Sequence, residues 1–232
     1  MSRSYFGDPT VQAALERIKD ALGVEFNKTD IFPYTVLCEQ VMSAKNSFVF
    51  PINQKNMDTQ TLPLQQGLLD SDLFIGYAAA ITVDARVSTL PSSVVRWQFG
   101  NAQVFNATAN TGTASDVETF YNAKLSLNVS TVAKIQYLNT QEFRTAGSPA
   151  VGQSGSSAYS TLYADNLKFV DTTLVTLLGA DQNNWVIDLV TGSSQPSISN
   201  TATNGQNVVA IFTKGFRIPQ GTNAYRALMQ QL

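Results

Sequence analysis

The sequence predicts an all-β sandwich or jelly roll entered through one amphipathic helix. Three observations predict it. After residue 30 the apolar pattern changes from a period near 3.6 to short runs rich in Val, Ile, Phe, Tyr and Thr, parted by Gly, Pro, Asn and Ser. Several runs alternate: Val95, Trp97 and Phe99 oppose Arg96 and Gln98, while Leu125, Leu127 and Val129 oppose Lys124, Ser126 and Asn128. No repeat of fixed period is visible, which argues against a propeller, solenoid or β-helix.

The elements follow in chain order. Asp8 can cap a helix, Pro9 suits its first position, and Val11, Ala14, Leu15, Ile18 and Leu22 share one face before Gly23 ends it. The other face carries Glu16, Arg17, Lys19 and Asp20, the pattern of a helix packing one stripe on the body of the same protein or a neighbour, with a membrane-surface role also open. Strands are expected at 31–37, 47–52, 73–85, 94–99, 102–106, 124–130, 132–138, 141–145, 159–163, 167–170, 173–178, 185–190, 208–213 and 215–218. The apolar residues Val132, Ile135 and Leu138 break strict alternation and predict a turn or bulge near Ser130 and Thr131. Two short helices interrupt the β pattern, one opened by Ser115-Asp116-Val117-Glu118 and one from Asn223 to Leu232. Long neutral loops are expected at 106–115, 145–161 and 191–207.

Composition narrows the function classes. Of 232 residues 44% are apolar, enough for an ordinary core, and only 14% are charged, against about 25% in typical soluble domains. A surface so poor in charge suits close packing against neighbours. Fifteen basic residues against seventeen acidic give a net charge of −2, and no Lys/Arg run could neutralise a row of phosphates, so direct sequence-specific nucleic-acid contact is not expected. The N-terminus "MSRSYFGDPT" lacks the apolar stretch of a signal peptide, which predicts synthesis in the cytoplasm without export by the usual route.

Chemistry is hard to find in these residues. Without histidine the commonest general base, the usual triads and most zinc and non-haem iron sites disappear together. Asp84, Glu118, Glu142 and Asp188 could supply a glycosidase pair, but seventeen acids make some pair inevitable. Asp70-Ser71-Asp72 and Asp181-Gln182-Asn183-Asn184 have the oxygen-rich look of calcium loops without the spacing of an EF-hand, and read as turns before strands. Cys38, the sole cysteine, reads as a small buried apolar residue, and Trp97 and Trp185 read as core. No Gly-rich phosphate loop is present. The expectation is therefore no enzyme, no catalytic or metal residues and no cofactor.

The stretches "DIFPYTVLCEQV" (30–41), "SFVFPI" (47–52), "SDLFIGYAAAITV" (71–83), "FYNAKLSLNVS" (120–130) and "VVAIFTKGFRIP" (208–219) resemble the double jelly-roll major capsid proteins of icosahedral, internal-membrane bacteriophages of the corticovirus and finnlakevirus kind. The resemblance implies a virion location and a homotrimeric, pseudo-hexameric capsomer that meets neighbouring capsomers and other capsid proteins. It implies an N-terminal arm and helix at 1–30, a first jelly roll at 31–138 and a second at 139–232, with the helix of residues 9–22 as an inner anchor for which contact with an internal membrane is open. The strand count agrees, since about 200 residues after the helix allow roughly 12 per strand for sixteen strands. The chain is short for that family and its halves show no repeat, so a single jelly roll with insertions, as in a penton or minor capsid protein, stays open. So does a receptor- or glycan-binding virion module using Tyr159 and Tyr163.

Overall fold

The computed structural model describes residues 9–24, 26–27, 29–42, 45–52, 65–86, 97–98, 110–111, 122–130, 132–144, 167–190, 199–200 and 206–230. The first helix, α1 (Pro9–Leu22), falls where the periodicity predicts, and Gly23 closes it in the left-handed conformation (φ 64°) with its N–H on the Lys19 carbonyl. The strands follow as β1 (Phe32–Val41), β2 (Ser47–Pro51), β3 (Gln65–Gln66), β4 (Leu73–Arg86), β5 (Trp97–Gln98), β6 (Asn110–Thr111), β7 (Lys124–Val129), β8 (Val132–Asn139), β9 (Val170–Leu178), β10 (Asn183–Asp188), β11 (Ser199–Asn200) and β12 (Gln206–Ile218). A second helix, α2 (Asn223–Met229), closes the described chain, its N-terminus capped by the Thr222 hydroxyl.

Mainly antiparallel β structure is confirmed. One sheet runs β3-β1-β12-β4, with β9 and β5 on the far edge of β4, and the other runs β2-β10-β7-β8. The eight principal strands pair first with last, second with seventh, third with sixth and fourth with fifth: β1 with β12, β2 with β10, β4 with β9, β7 with β8. That is one long hairpin, tipped by the β7–β8 turn and rolled up so that β12 also meets β4 and β10 also meets β7.

The expected division into two sandwiches at residues 138 and 139 does not coincide with a division between the two sheets. Each sheet takes strands from both proposed halves, so the described strands build one sandwich. Some of the expected strands merge into longer ones. Residues 208–213 and 215–218 are one strand, and Gly215 is not a break: a Cβ there would sit 2.3 Å from the Phe74 ring and 2.4 Å from the Ile75 carbonyl oxygen. Residues 167–170 and 173–178 yield the single strand β9, whose register against β4 shifts between Val175 and Asp171. Residues 141–144 form no strand, because a 3₁₀ helix (Thr140–Phe143) turns there, its Gln141 N–H donating to the Asn139 side chain at 2.9 Å and its end anchored by buried Phe143. The expected strands at 102–106 and 159–163, the capping segment Ser115-Asp116-Val117-Glu118 expected to open a helix, and most of the loops at 106–115, 145–161 and 191–207 lie outside the described residues.

Two apolar layers result. Between the sheets, Phe48, Phe50, Leu125, Leu127, Trp185 and Ile187 face Val36, Phe74, Ile81, Leu177, Val209 and Ile211. On the other side of the first sheet, Val11, Ala14 and Ile18 of α1 and Ala224 and Leu228 of α2 pack on Leu73, Ile75, Tyr77, Phe216 and Ile218. Burial of a residue such as Ile18 contributes about 1.5–3 kcal/mol, so the stripe of α1 is an integral part of the fold. Arg17 adds polar ties, donating to the Thr172 carbonyl at 2.6 Å and standing 3.8 Å from Asp171. The apolar stripe of α1 thus packs on the chain's own sheet, one of the placements its pattern predicts. No described helix is long and apolar enough to cross a membrane.

Candidate functional site

The alternation of strands fixes what each end and face of the sandwich can offer. Since neighbouring strands are antiparallel, the connections β4 to β7, β8 to β9 and β10 to β12 all leave from one end, and the predicted neutral loops 106–115, 145–161 and 191–207 belong to these connections. Two of those loops are joined where β6 pairs with β11, Thr111 opposite Ser199. The opposite end carries the β7–β8 turn, the β9–β10 turn and both helices.

At that opposite end the two oxygen-rich motifs come together. Asp70 and residues 179–184, with Pro51, line one cleft of about 500 Å³. Both motifs are turns leading into strands, as their sequences predict: Asp72 N–H bonds the Leu69 carbonyl and Asp181 N–H bonds the Leu178 carbonyl. The turns interlock tightly, since a Cβ at Gly179 would lie 1.8 Å from the Leu69 carbonyl oxygen. Ser130, at φ 53°, donates its N–H to the Gln182 carbonyl and ties the hairpin tip to the same cluster. Asp72 turns inward and its carboxylate meets the Arg217 guanidinium at 2.5 Å, with Arg217 also over the Tyr34 ring. Nothing in the sequence signals that pair, because strand register alone brings residues 72 and 217 together. Among the described residues no group of three or more His, Cys, Asp or Glu side chains could hold a metal ion.

The carboxylates considered for glycoside chemistry are dispersed. Asp84 belongs to β4 in the first sheet, Asp188 ends β10 in the second, Glu142 is exposed on the 3₁₀ turn, and Glu118 lies outside the described residues. Tyr159 and Tyr163 lie outside them too. Cys38 is buried in the sandwich core, its thiol donating to the Pro51 carbonyl at 3.1 Å, and burial pushes its pKa well above the usual thiol range, with the nearby Glu39 carboxylate adding to the shift.

The two sheets differ in what covers them. Among the described residues, helices lie on the outer side of the first sheet and none lies on the outer side of the second, whose polar phase runs from exposed Lys124 through half-buried Asp188, Asn184 and Asn128 to buried Ser126. Its rows follow from the register. Across the middle run Val49, Val186 and Ser126, and beside it toward the long-loop end run Ser47, Asp188 and Lys124. On β8 the register slips twice, and Gln136 and Tyr137 together oppose the single residue Ser126. This bulge explains the three-residue spacing of Ile135 and Leu138, and it puts Tyr137 at φ 53° with its ring 66% exposed. A left-handed tyrosine costs about 1–2 kcal/mol, a strain carried at the sheet's edge by a side chain that points out of the subunit. The Lys124 ammonium lies 5.2 Å from the centre of that ring. Sequence alternation locates Lys124, Ser126 and Asn128 on this face, but the bulge that aims Tyr137 has no local signature.

Comparison of the chain with family models, curated proteins and solved structures gives no match. The geometry therefore carries the functional reading by itself.

Proposed function

We propose that the chain is a structural subunit of an icosahedral virion shell, built on a single jelly roll, and that its work is self-association rather than chemistry. The observation that carries this reading is the rolled-hairpin order of eight strands, first with last through fourth with fifth. Eight antiparallel strands wound in this way are the architecture of capsid, lectin and cupin domains. A chain without histidine is a poor cupin, whose chemistry rests on imidazole ligands. The low charge of the chain favours a subunit that desolvates few ions when it meets its neighbours.

The single sandwich changes the capsomer that the family resemblance implies. A six-lobed unit takes three copies of a double jelly roll but six copies of a single one, so the reading moves from the major capsid protein toward the penton or minor capsid alternative. In this arrangement the β4–β7, β8–β9 and β10–β12 connections leave from one end, suited to the outside of a shell or to seams between capsomers. The end with both helices and the interlocked turns faces the other way.

Electron microscopy of the purified full chain, alone and after co-expression with the other structural proteins of its particle, tests the reading. Incorporation into closed particles with one sandwich per subunit is expected. A protein excluded from particles in both preparations would sink it.

A further inference from the structure

We infer that the outer face of the β2-β10-β7-β8 sheet is a two-fold docking surface for a second copy of this chain, with Lys124 of one copy meeting Asp188 of the other. The inference rests on the self-association reading and adds the surface, the partner and the geometry.

Lys124 and Asp188 occupy the same row on the two central strands, β7 and β10. A two-fold axis parallel to the strands, lying over the gap between these two, keeps each row at its level and reverses the order of strands. It lays β10 over the β7 of the second copy and β2 over its β8, in an isologous contact where each pairing occurs twice. Asp188 then faces Lys124 and Lys124 faces Asp188, so both charges of the row find opposite charges. In the middle row half-buried Val186 lies over Ser126, which is recessed between its neighbours at 7% exposure, and Val49, 45% exposed, meets Tyr137, 66% exposed. The next row sets Asn184 against Asn128, two amides that can donate and accept.

The face thus complements itself in charge, in size and in hydrogen bonding about one axis. Stacked sheets rotate by about 30°, which displaces the charged row by roughly 3–4 Å from exact overlay, within the sweep of a lysine side chain. Within one subunit no ion pair joins Lys124 to Asp188 among the described residues. Lys124 instead lies against Tyr137. The geometry also bounds the strength. Four strands about 4.8 Å apart and five residues long cover about 300 Å² per copy, well below the roughly 800 Å² per partner of a stable complex. The contact is weak by itself and suited to repetition in a shell.

Charge reversal with mixing tests it. Lys124→Asp leaves two acids on the face and Asp188→Lys leaves two bases, so each variant repels itself while a mixture of the two restores every attraction between copies. Sedimentation velocity at low salt, over a concentration series, should show self-association of each variant weakened about tenfold and recovered in the equimolar mixture. Mixing cannot repair a purely internal role of these residues, because each subunit keeps its own altered row. Variants that associate like the parent chain, or a mixture no better than its components, would overturn the surface while leaving the self-association reading intact. A parent chain that never associates would remove both. A measurement that needs no variant is carbodiimide cross-linking of mixed light and heavy isotope-labelled chain, where a Lys124–Asp188 bond joining light to heavy peptide is expected and an exclusively intrachain bond contradicts the inference.

Discussion

The indole N–H of Trp185 donates to Oγ1 of Thr213 at 2.8 Å, a bond that crosses the sandwich from β10 to β12. Both residues are buried, Trp185 among the largest side chains of the core. Thr213→Val keeps the shape and orphans the indole N–H, which costs about 1–3 kcal/mol. Trp185→Phe orphans the hydroxyl and removes volume, and costs more, about 2–4 kcal/mol. Denaturant unfolding of the two variants and their combination checks this, with a double variant less destabilised than the sum of the singles.

Helix α1 is held by burial rather than by its charges. The Arg17–Asp171 pair is exposed and spans 3.8 Å, so Arg17→Ala is expected to cost about 1 kcal/mol, mostly through the lost bond to the Thr172 carbonyl. Ile18→Ala leaves a cavity against the first sheet and is expected to cost about 2–4 kcal/mol. Hydrogen exchange over residues 9–22 should rise strongly in the second variant and little in the first.

The Asp72–Arg217 pair predicts the reverse balance for charges. Asp72 is nearly inaccessible, so Arg217→Ala leaves a buried carboxylate without its cation and is expected to cost about 3–5 kcal/mol. Replacing both residues by apolar ones of similar size should recover most of that loss. Thermal melts of the single and double variants distinguish the two outcomes.

Cys38 gives a pH dependence of definite sign. Burial holds its thiol protonated in the fold, while the unfolded chain ionises it near pH 8.5. The unfolded state therefore binds fewer protons above that pH, and stability falls as pH rises, by up to about 1.4 kcal/mol per unit from this group. A Cys38→Ala variant, less stable at neutral pH, should show a shallower decline between pH 9 and 10. In the native parent chain a thiol reagent should find Cys38 inert until unfolding.

What was legible in the sequence was whatever has a local signature. The stripe of Val11, Ala14 and Ile18 and the alternation of Leu125 and Leu127 each state a period, and period decides helix or strand and which face is buried. The core position of Trp185 and the bland burial of Cys38 follow from the same rule. The number of sandwiches has no local signature. Glycine at position 215 looks like punctuation and is a point of close approach to Phe74, so one long strand reads as two. The pairing of β1 with β12 joins residues near opposite ends of the chain, and the Asp72–Arg217 contact depends on the equally distant pairing of β4 with β12. The docking row of Lys124 and Asp188 was equally invisible, since each residue alone reads as an ordinary solvent-facing charge.

The central claim is that this subunit exists to join copies of itself, and the direct measurement is the mass distribution of the purified full chain, by sedimentation, across a concentration series at low and high salt. The claim predicts species larger than the monomer that grow with concentration and weaken as salt screens the charged row. A single monomeric species at every concentration and salt would contradict it.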